Sequence, residues 1–193
     1  MEQIIIKKQT FNVEEEINSY SLVATLDGKK YFIYDFTDNL EGFNDFKFAY
    51  KRLKNSGVTI PNVYLLDKKL HRVAVEYIEG ETIFDLLLKA DIEEPLLEQA
   101  FVLNYKARIN GLRLNFEPHK FKVRDGKLYY LPFTFTAYKR EEDFTQKEIK
   151  HWFYCTDFVE YLISKGIPVQ KGRISSEYET NKKMVLMTVK YFR

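Results

Sequence analysis

The apolar residues of this chain change their period near residue 40, and that switch points to an α+β arrangement in which strands precede helices. Residues 2–11 and 19–25 are rich in β-branched and aromatic side chains. Asp27-Gly28 then precedes Lys30-Tyr31-Phe32-Ile33-Tyr34-Asp35-Phe36, so the spacing predicts strands closed by a tight hairpin. Within residues 40–54, Phe43, Phe46, Ala49, Tyr50 and Leu53 recur at helical spacing, and Gly57 stands just past the end, where a C-terminal cap belongs. Two further helices are expected over residues 95–110, with Pro95 tolerated in the first turn, and over residues 145–164, closed by Gly166.

The 193 residues are 45% hydrophobic, enough apolar material for one domain or two small lobes. Basic and acidic residues number 30 and 28, a balance that gives no long-range field toward nucleic acid or an anionic membrane. Aromatic residues interleave with Lys and Arg around Tyr129-Tyr130 and over residues 133–140, as a base-stacking surface would; without a basic excess they are assigned to packing, and no nucleic-acid partner is expected. A single cysteine, Cys155, allows no internal disulfide and suits a reducing compartment. Ile4-Ile5-Ile6 is too short for a signal-peptide core and no stretch approaches a membrane span, so a cytoplasmic location is expected.

Leu114-Asn115-Phe116-Glu117-Pro118-His119-Lys120-Phe121 resembles the D-x-x-P-x-N-F catalytic loop of small atypical members of the protein-kinase-like superfamily, with Asn115 at the catalytic Asp and Lys120 at the metal-binding Asn. Three more segments fall around it in kinase order. Asn55-Ser56-Gly57-Val58-Thr59-Ile60-Pro61 looks like the strand entry of RIO, Bud-type and lipopolysaccharide-core kinases. Val73-Ala74-Val75-Glu76-Tyr77-Ile78-Glu79-Gly80 followed by Glu81-Thr82-Ile83-Phe84-Asp85-Leu86-Leu87 looks like a fifth strand, hinge and first C-lobe helix. Lys122 to Thr134 looks like the hairpin leading into the DFG position, where Pro132 stands for the Asp. The resemblance implies a two-lobed kinase-like fold: an N-lobe over residues 1–78, with an antiparallel sheet and one helix, and a reduced helical C-lobe with a C-terminal tail over residues 79–193. The hinge and cleft would be formed by Glu76, Tyr77, Ile78 and Gly80.

Phosphoryl transfer in such a frame needs a strand Lys, a helix Glu to hold it, a catalytic Asp, and an Asn and an Asp for magnesium. Here the strand position falls on Tyr34 or Asp35 and the helix position near Asp45 to Lys47, with Asn115, Lys120 and Pro132 at the other three. Magnesium asks for oxygen ligands, which Lys120 and Pro132 do not offer. Residues 12–18, expected to be the loop between the first two strands, carry Glu14, Glu15 and Glu16 where a triphosphate would need backbone donors. No cofactor is expected.

Lys120, with His119, reads either as an anion-binding ammonium in place of the metal or as a solvated loop residue. Glu117 and His119, two apart in a loop, have no acid/base geometry by spacing alone. His151 and Cys155 would share a helix face as an i, i+4 pair, with core packing as the competing account. The basic segment 171–193, with Arg173, Lys182, Lys183, Lys190 and Arg193, reads either as a last helix or strand closing the domain or as an amphipathic tail for a partner or an anionic surface. The expected function is that of a catalytically impaired kinase-like binding or regulatory module with a protein partner. The alternative is a divergent small kinase using ATP and magnesium, its site rebuilt from acids such as Glu117 or Asp125.

Overall fold

The computed structural model describes residues 2–191; Met1, Phe192 and Arg193 lie outside them. The architecture is α+β and kinase-like in plan, an antiparallel N-terminal sheet with one helix followed by a mainly helical remainder. The chain divides into two compact units, one comprising Met1–Arg52 and Ile60–Ile78, the other Leu53–Thr59 and Glu79–Arg193.

In the first unit, β1 (Gln3–Ile6), β2 (Gln9–Asn18), β3 (Ser21–Leu26), β4 (Lys29–Asp35), β5 (Val63–Asp67) and β6 (Arg72–Glu76) form one sheet in the order β1-β2-β3-β4-β6-β5. Every neighbouring pair is antiparallel. Alternation puts Ile4, Ile6, Phe11, Ala24, Tyr31, Ile33 and Ala74 on one buried face, where Phe11 meets Tyr31 edge-on at 5.5 Å. The expected Asp27-Gly28 hairpin is present, with φ of 50° and 73° at its two central residues, the signs a primed turn requires. The sheet curls until the ends of its edge strands meet: the Lys7 N–H donates to Asp67 Oδ2 at 2.9 Å.

One expectation fails here. Residues 12–18 are not a loop but the greater part of β2, which pairs with β3 through two irregularities of register. Those bulges leave the three glutamates on the solvent side, and Glu14 pairs with Lys30 at 3.0 Å. The turns flanking β2 fall at Lys7-Lys8 and Ser19-Tyr20, and neither contains glycine.

Helix α1 (Leu40–Asn55) follows the predicted periodicity, burying Phe43, Phe46, Ala49 and Leu53. Its end is a Schellman motif: Gly57, at φ 72°, donates to the Lys54 carbonyl at 3.0 Å while Val58 donates to that of Leu53 at 3.1 Å.

The second unit contains α2 (Ile83–Lys89), α3 (Glu94–Ile109), β7 (Leu112–Arg113), the β8 (Phe121–Arg124) and β9 (Lys127–Tyr130) hairpin, β10 (Thr136–Ala137), and helices α4 (Phe144–Lys147), α5 (Thr156–Ser164) and α6 (Glu177–Tyr191). Helix α2 starts in a capping box, with Thr82 Oγ1 accepting from the Asp85 N–H at 3.0 Å and Asp85 Oδ2 accepting from the Thr82 N–H at 2.9 Å. Phe101, Phe116, Phe121, Tyr130, Phe144 and Trp152, all buried, form an aromatic core in which Phe116 stacks on Phe144 at 4.3 Å.

The single helix expected over residues 145–164 is broken. Helix α4 passes into a 3₁₀ turn at Ile149–Trp152, and Phe153 and Cys155 are extended before α5 begins. Trp152 and Tyr154, two residues apart, are both buried while Phe153 between them is half-buried, the alternation that extended chain gives. Gly166 closes α5 as expected, with the Ile167 N–H donating to the Leu162 carbonyl at 2.9 Å. The basic C-terminal segment forms α6, which packs on α3: Lys190 and Tyr191 both bond Glu94, and the Tyr191 ring lies 5.8 Å from Phe101.

Candidate functional site

The loop that follows β7 carries four of the singled-out residues, Asn115, Glu117, His119 and Lys120. Asn115 Oδ1 accepts from the Glu117 N–H at 2.9 Å, the Asx turn that this short amide side chain favours. The backbone N–H of Asn115 donates to the buried hydroxyl of Tyr130 at 3.3 Å, and that hydroxyl donates to the Thr134 carbonyl at 3.1 Å. Pro118 opens a single 3₁₀ turn that ends at Lys120. The Leu131 N–H then donates to the Lys120 carbonyl at 2.9 Å, which brings Lys120 beside Pro132 at the end of the β8–β9 hairpin. Asn115, Lys120 and Pro132 therefore gather around one hairpin end.

Beneath that loop lies a polar cluster that residue spacing did not reveal. Glu148 accepts from Arg113 at 3.1 Å and from the Phe116 N–H at 3.4 Å. Burial raises the Glu148 carboxyl above the ordinary glutamate range, and the Arg113 guanidinium and the Phe116 N–H work against that rise. Arg113 also donates to the Glu142 carbonyl at 2.8 Å. A second buried pair, Asn104 with Asp143 at 3.2 Å, ties α3 to the start of α4, where Asp143 also caps by accepting from the Thr145 N–H. Such partners are 29 to 39 residues apart in the chain, so no local pattern announces them.

In the first unit, Tyr34 sits in an aromatic cluster, stacked on Phe36 at 5.9 Å and 5.3 Å from Phe46, and burial pushes its phenol upward. Asp35 is held by Arg72 at 3.0 Å. Asp45 is exposed, and Lys47 lies over the Phe43 ring and bonds Asn44. Of the hinge residues, Glu76 accepts from the Asn62 side chain at 3.0 Å and Ile78 is buried. Tyr77 is half-buried. Gly80, in the second unit, has φ 120°, and a Cβ there would stand 2.1 Å from the Val123 carbonyl oxygen.

Two pairings come out differently from their spacing. Glu117 and His119 do meet, Oε2 to Nε2 at 3.2 Å, because the 3₁₀ turn folds the imidazole back over the carboxylate. His151 and Cys155 do not share a helix face, since the chain is extended between them; Cys155 is buried and its thiol donates to the Lys150 carbonyl at 3.2 Å. Asp125 lies in the tip of the β8–β9 hairpin at φ 53°.

The donor set does not fit magnesium. An ammonium at Lys120 and a pyrrolidine at Pro132 supply no side-chain oxygen, and among the described residues no three His, Cys, Asp or Glu side chains are grouped to hold a metal ion. Nor, among them, is any helix long and apolar enough to cross a membrane.

No family model matches the chain. Over 89 residues, 43% of its length, the chain is 32% identical to the KEOPS complex subunit Bud32 of Pyrococcus abyssi, and the match covers 39% of that protein. The chain is thus kinase-like in the plan of its fold and similar over part of its length to a Bud32 subunit.

Proposed function

We propose that this kinase-like chain is a binding or regulatory module without phosphoryl-transfer chemistry, working through a protein partner. The observation that carries the reading is the state of the loop after β7. The Asn115 side-chain oxygen is engaged in capping Glu117, and the positions that the kinase resemblance gives to two oxygen ligands are held by Lys120 and Pro132, neither of which has a side-chain oxygen. Tyr34, packed among Phe36 and Phe46, offers phosphate no charge. The partner follows from a weaker support, since the similar protein is by name a subunit of a complex. A cytoplasmic setting suits a chain with one thiol.

The test is a thermal-shift titration with ATP and GTP, with and without magnesium or manganese, because a ligand that binds only the folded state raises its melting temperature. No metal-dependent rise is expected. A rise that requires metal would overturn the reading in favour of a divergent small kinase with a rebuilt site.

A further inference from the structure

A pocket of 440 Å³ opens in the second unit between the loop after β7 and helices α2 and α5. Its apolar walls are Phe84, Phe158 and Tyr161, with the Phe84 ring edge-on to Phe158 at 5.7 Å and to Tyr161 at 6.1 Å. The rings pack against one another at 62° and 84°, edge geometries that aromatic quadrupoles favour, and together give the pocket an aromatic wall. Around this apolar part stand four polar side chains: Glu117, His119, His151 and Lys165. They come from three separate parts of the chain and converge on a volume suited to a small ligand.

The charges around the pocket are of both signs. The Lys165 ammonium, at the C-terminal cap of α5, lies 5.8 Å over the Tyr161 ring and has no carboxylate partner among the described residues. Glu117 has, among the described residues, only the imidazole of His119 within reach, at 3.2 Å, a partner that is ionic only when the ring is protonated. Burial is the first cause that lowers both histidines, to which Lys120 adds at His119 and Lys150 at His151, while Glu117 acts in the opposite direction on both. At neutral pH the imidazoles are therefore uncharged hydrogen-bonding groups, and the fixed charges of the pocket are one carboxylate and one ammonium.

We infer that this pocket binds a small aromatic zwitterion of the aromatic amino-acid class, its ring against the wall of Phe84, Phe158 and Tyr161, its ammonium toward Glu117 and its carboxylate toward Lys165. An aliphatic amino acid leaves the ring walls unfilled. An aromatic acid or amine alone answers only one of the two protein charges.

The test uses the histidines as reporters. The chain has three, and His71 lies in the first unit as an internal reference. L-phenylalanine is titrated into the full chain while the histidine ring carbon-bound protons are followed by two-dimensional NMR. Saturable shifts of the His119 and His151 signals with an unmoved His71 are expected. 3-Phenylpropanoate and phenethylamine should bind about tenfold more weakly, the loss expected for one charged hydrogen bond. Lys165→Met, at an exposed side chain, should cost L-phenylalanine a similar factor while leaving phenethylamine unchanged. Absence of shifts at any of the ligand concentrations reached overturns the inference. So do equal affinities for L-leucine and L-phenylalanine, equal affinities for the zwitterion and its two singly charged analogues, and a Lys165→Met variant that binds L-phenylalanine undiminished. None of these outcomes depends on whether nucleotide binds.

Discussion

The indole Nε1 of Trp152 donates to the backbone carbonyl of Phe116 across 2.7 Å, with both residues essentially inaccessible to water. This bond fastens the loop after β7 to the segment between α4 and α5, and the Phe116 ring, stacked on Phe144, holds the same junction from its other side.

Trp152→Phe keeps most of the ring but leaves the Phe116 carbonyl buried without this donor, an expected loss of about 1–3 kcal/mol. Trp152→Ala adds a cavity and should cost about 3–5 kcal/mol. Urea denaturation followed by far-ultraviolet circular dichroism would check both, and equal stability of wild type and Trp152→Phe would show the bond to be without net value.

Gly80 cannot accept a side chain. Its φ of 120° lies where L-residues are strained, and a Cβ would collide with the Val123 carbonyl at 2.1 Å. Gly80→Ala should therefore destabilise by more than the ~1 kcal/mol at which a tolerated glycine-to-alanine change would stabilise. A scanning-calorimetry Tm for the variant at or above the wild-type value would refute this.

The Glu148 carboxyl gives stability a defined pH dependence. Its folded-state pKa is raised by burial above its unfolded value, so the folded state holds the proton longer. The associated stability is present below the ordinary glutamate pKa of ~4.3 and is lost as pH rises through the raised value. Glu148→Gln removes this decline. Arg113→Met deletes the opposing guanidinium 3.1 Å away, so the decline should extend to higher pH, with an expected loss near neutrality of about 3–5 kcal/mol for a stranded buried carboxylate. Denaturation midpoints measured across the acid range would show parallel curves for Arg113→Met and wild type if the pair were not coupled.

His119 and His151 should both titrate below the ordinary histidine value of ~6.5, because burial and neighbouring lysines oppose their protonation. Their contribution to stability is present above that value and is lost as pH falls through the lowered pKa. Glu117→Gln deletes a charge that favours protonation of both, so both midpoints should fall further. Ring-proton NMR titration reads the two together, and movement of His119 alone would show that Glu117 does not act across the pocket.

Local signals carried much of the fold. The Asp27-Gly28 turn, the apolar stripe of α1 with its Gly57 cap and the Pro95-led α3 each depend on residues a few positions apart, whose backbone preferences act on one another directly. The same locality misled over residues 12–18, which fell between two β-rich runs and read as a loop but are strand by pairing with β3, and over residues 145–164, where apolar character suggested one helix. In both cases long-range partners overrode local propensity. What residue order could not supply was the meeting of Arg113 with Glu148, of Trp152 with Phe116, and of His119 and His151 around the Phe84 and Phe158 rings. Those contacts join side chains that are strangers in the chain. Their energies come from desolvation and from hydrogen bonds closed inside a core, quantities that do not exist until the core does.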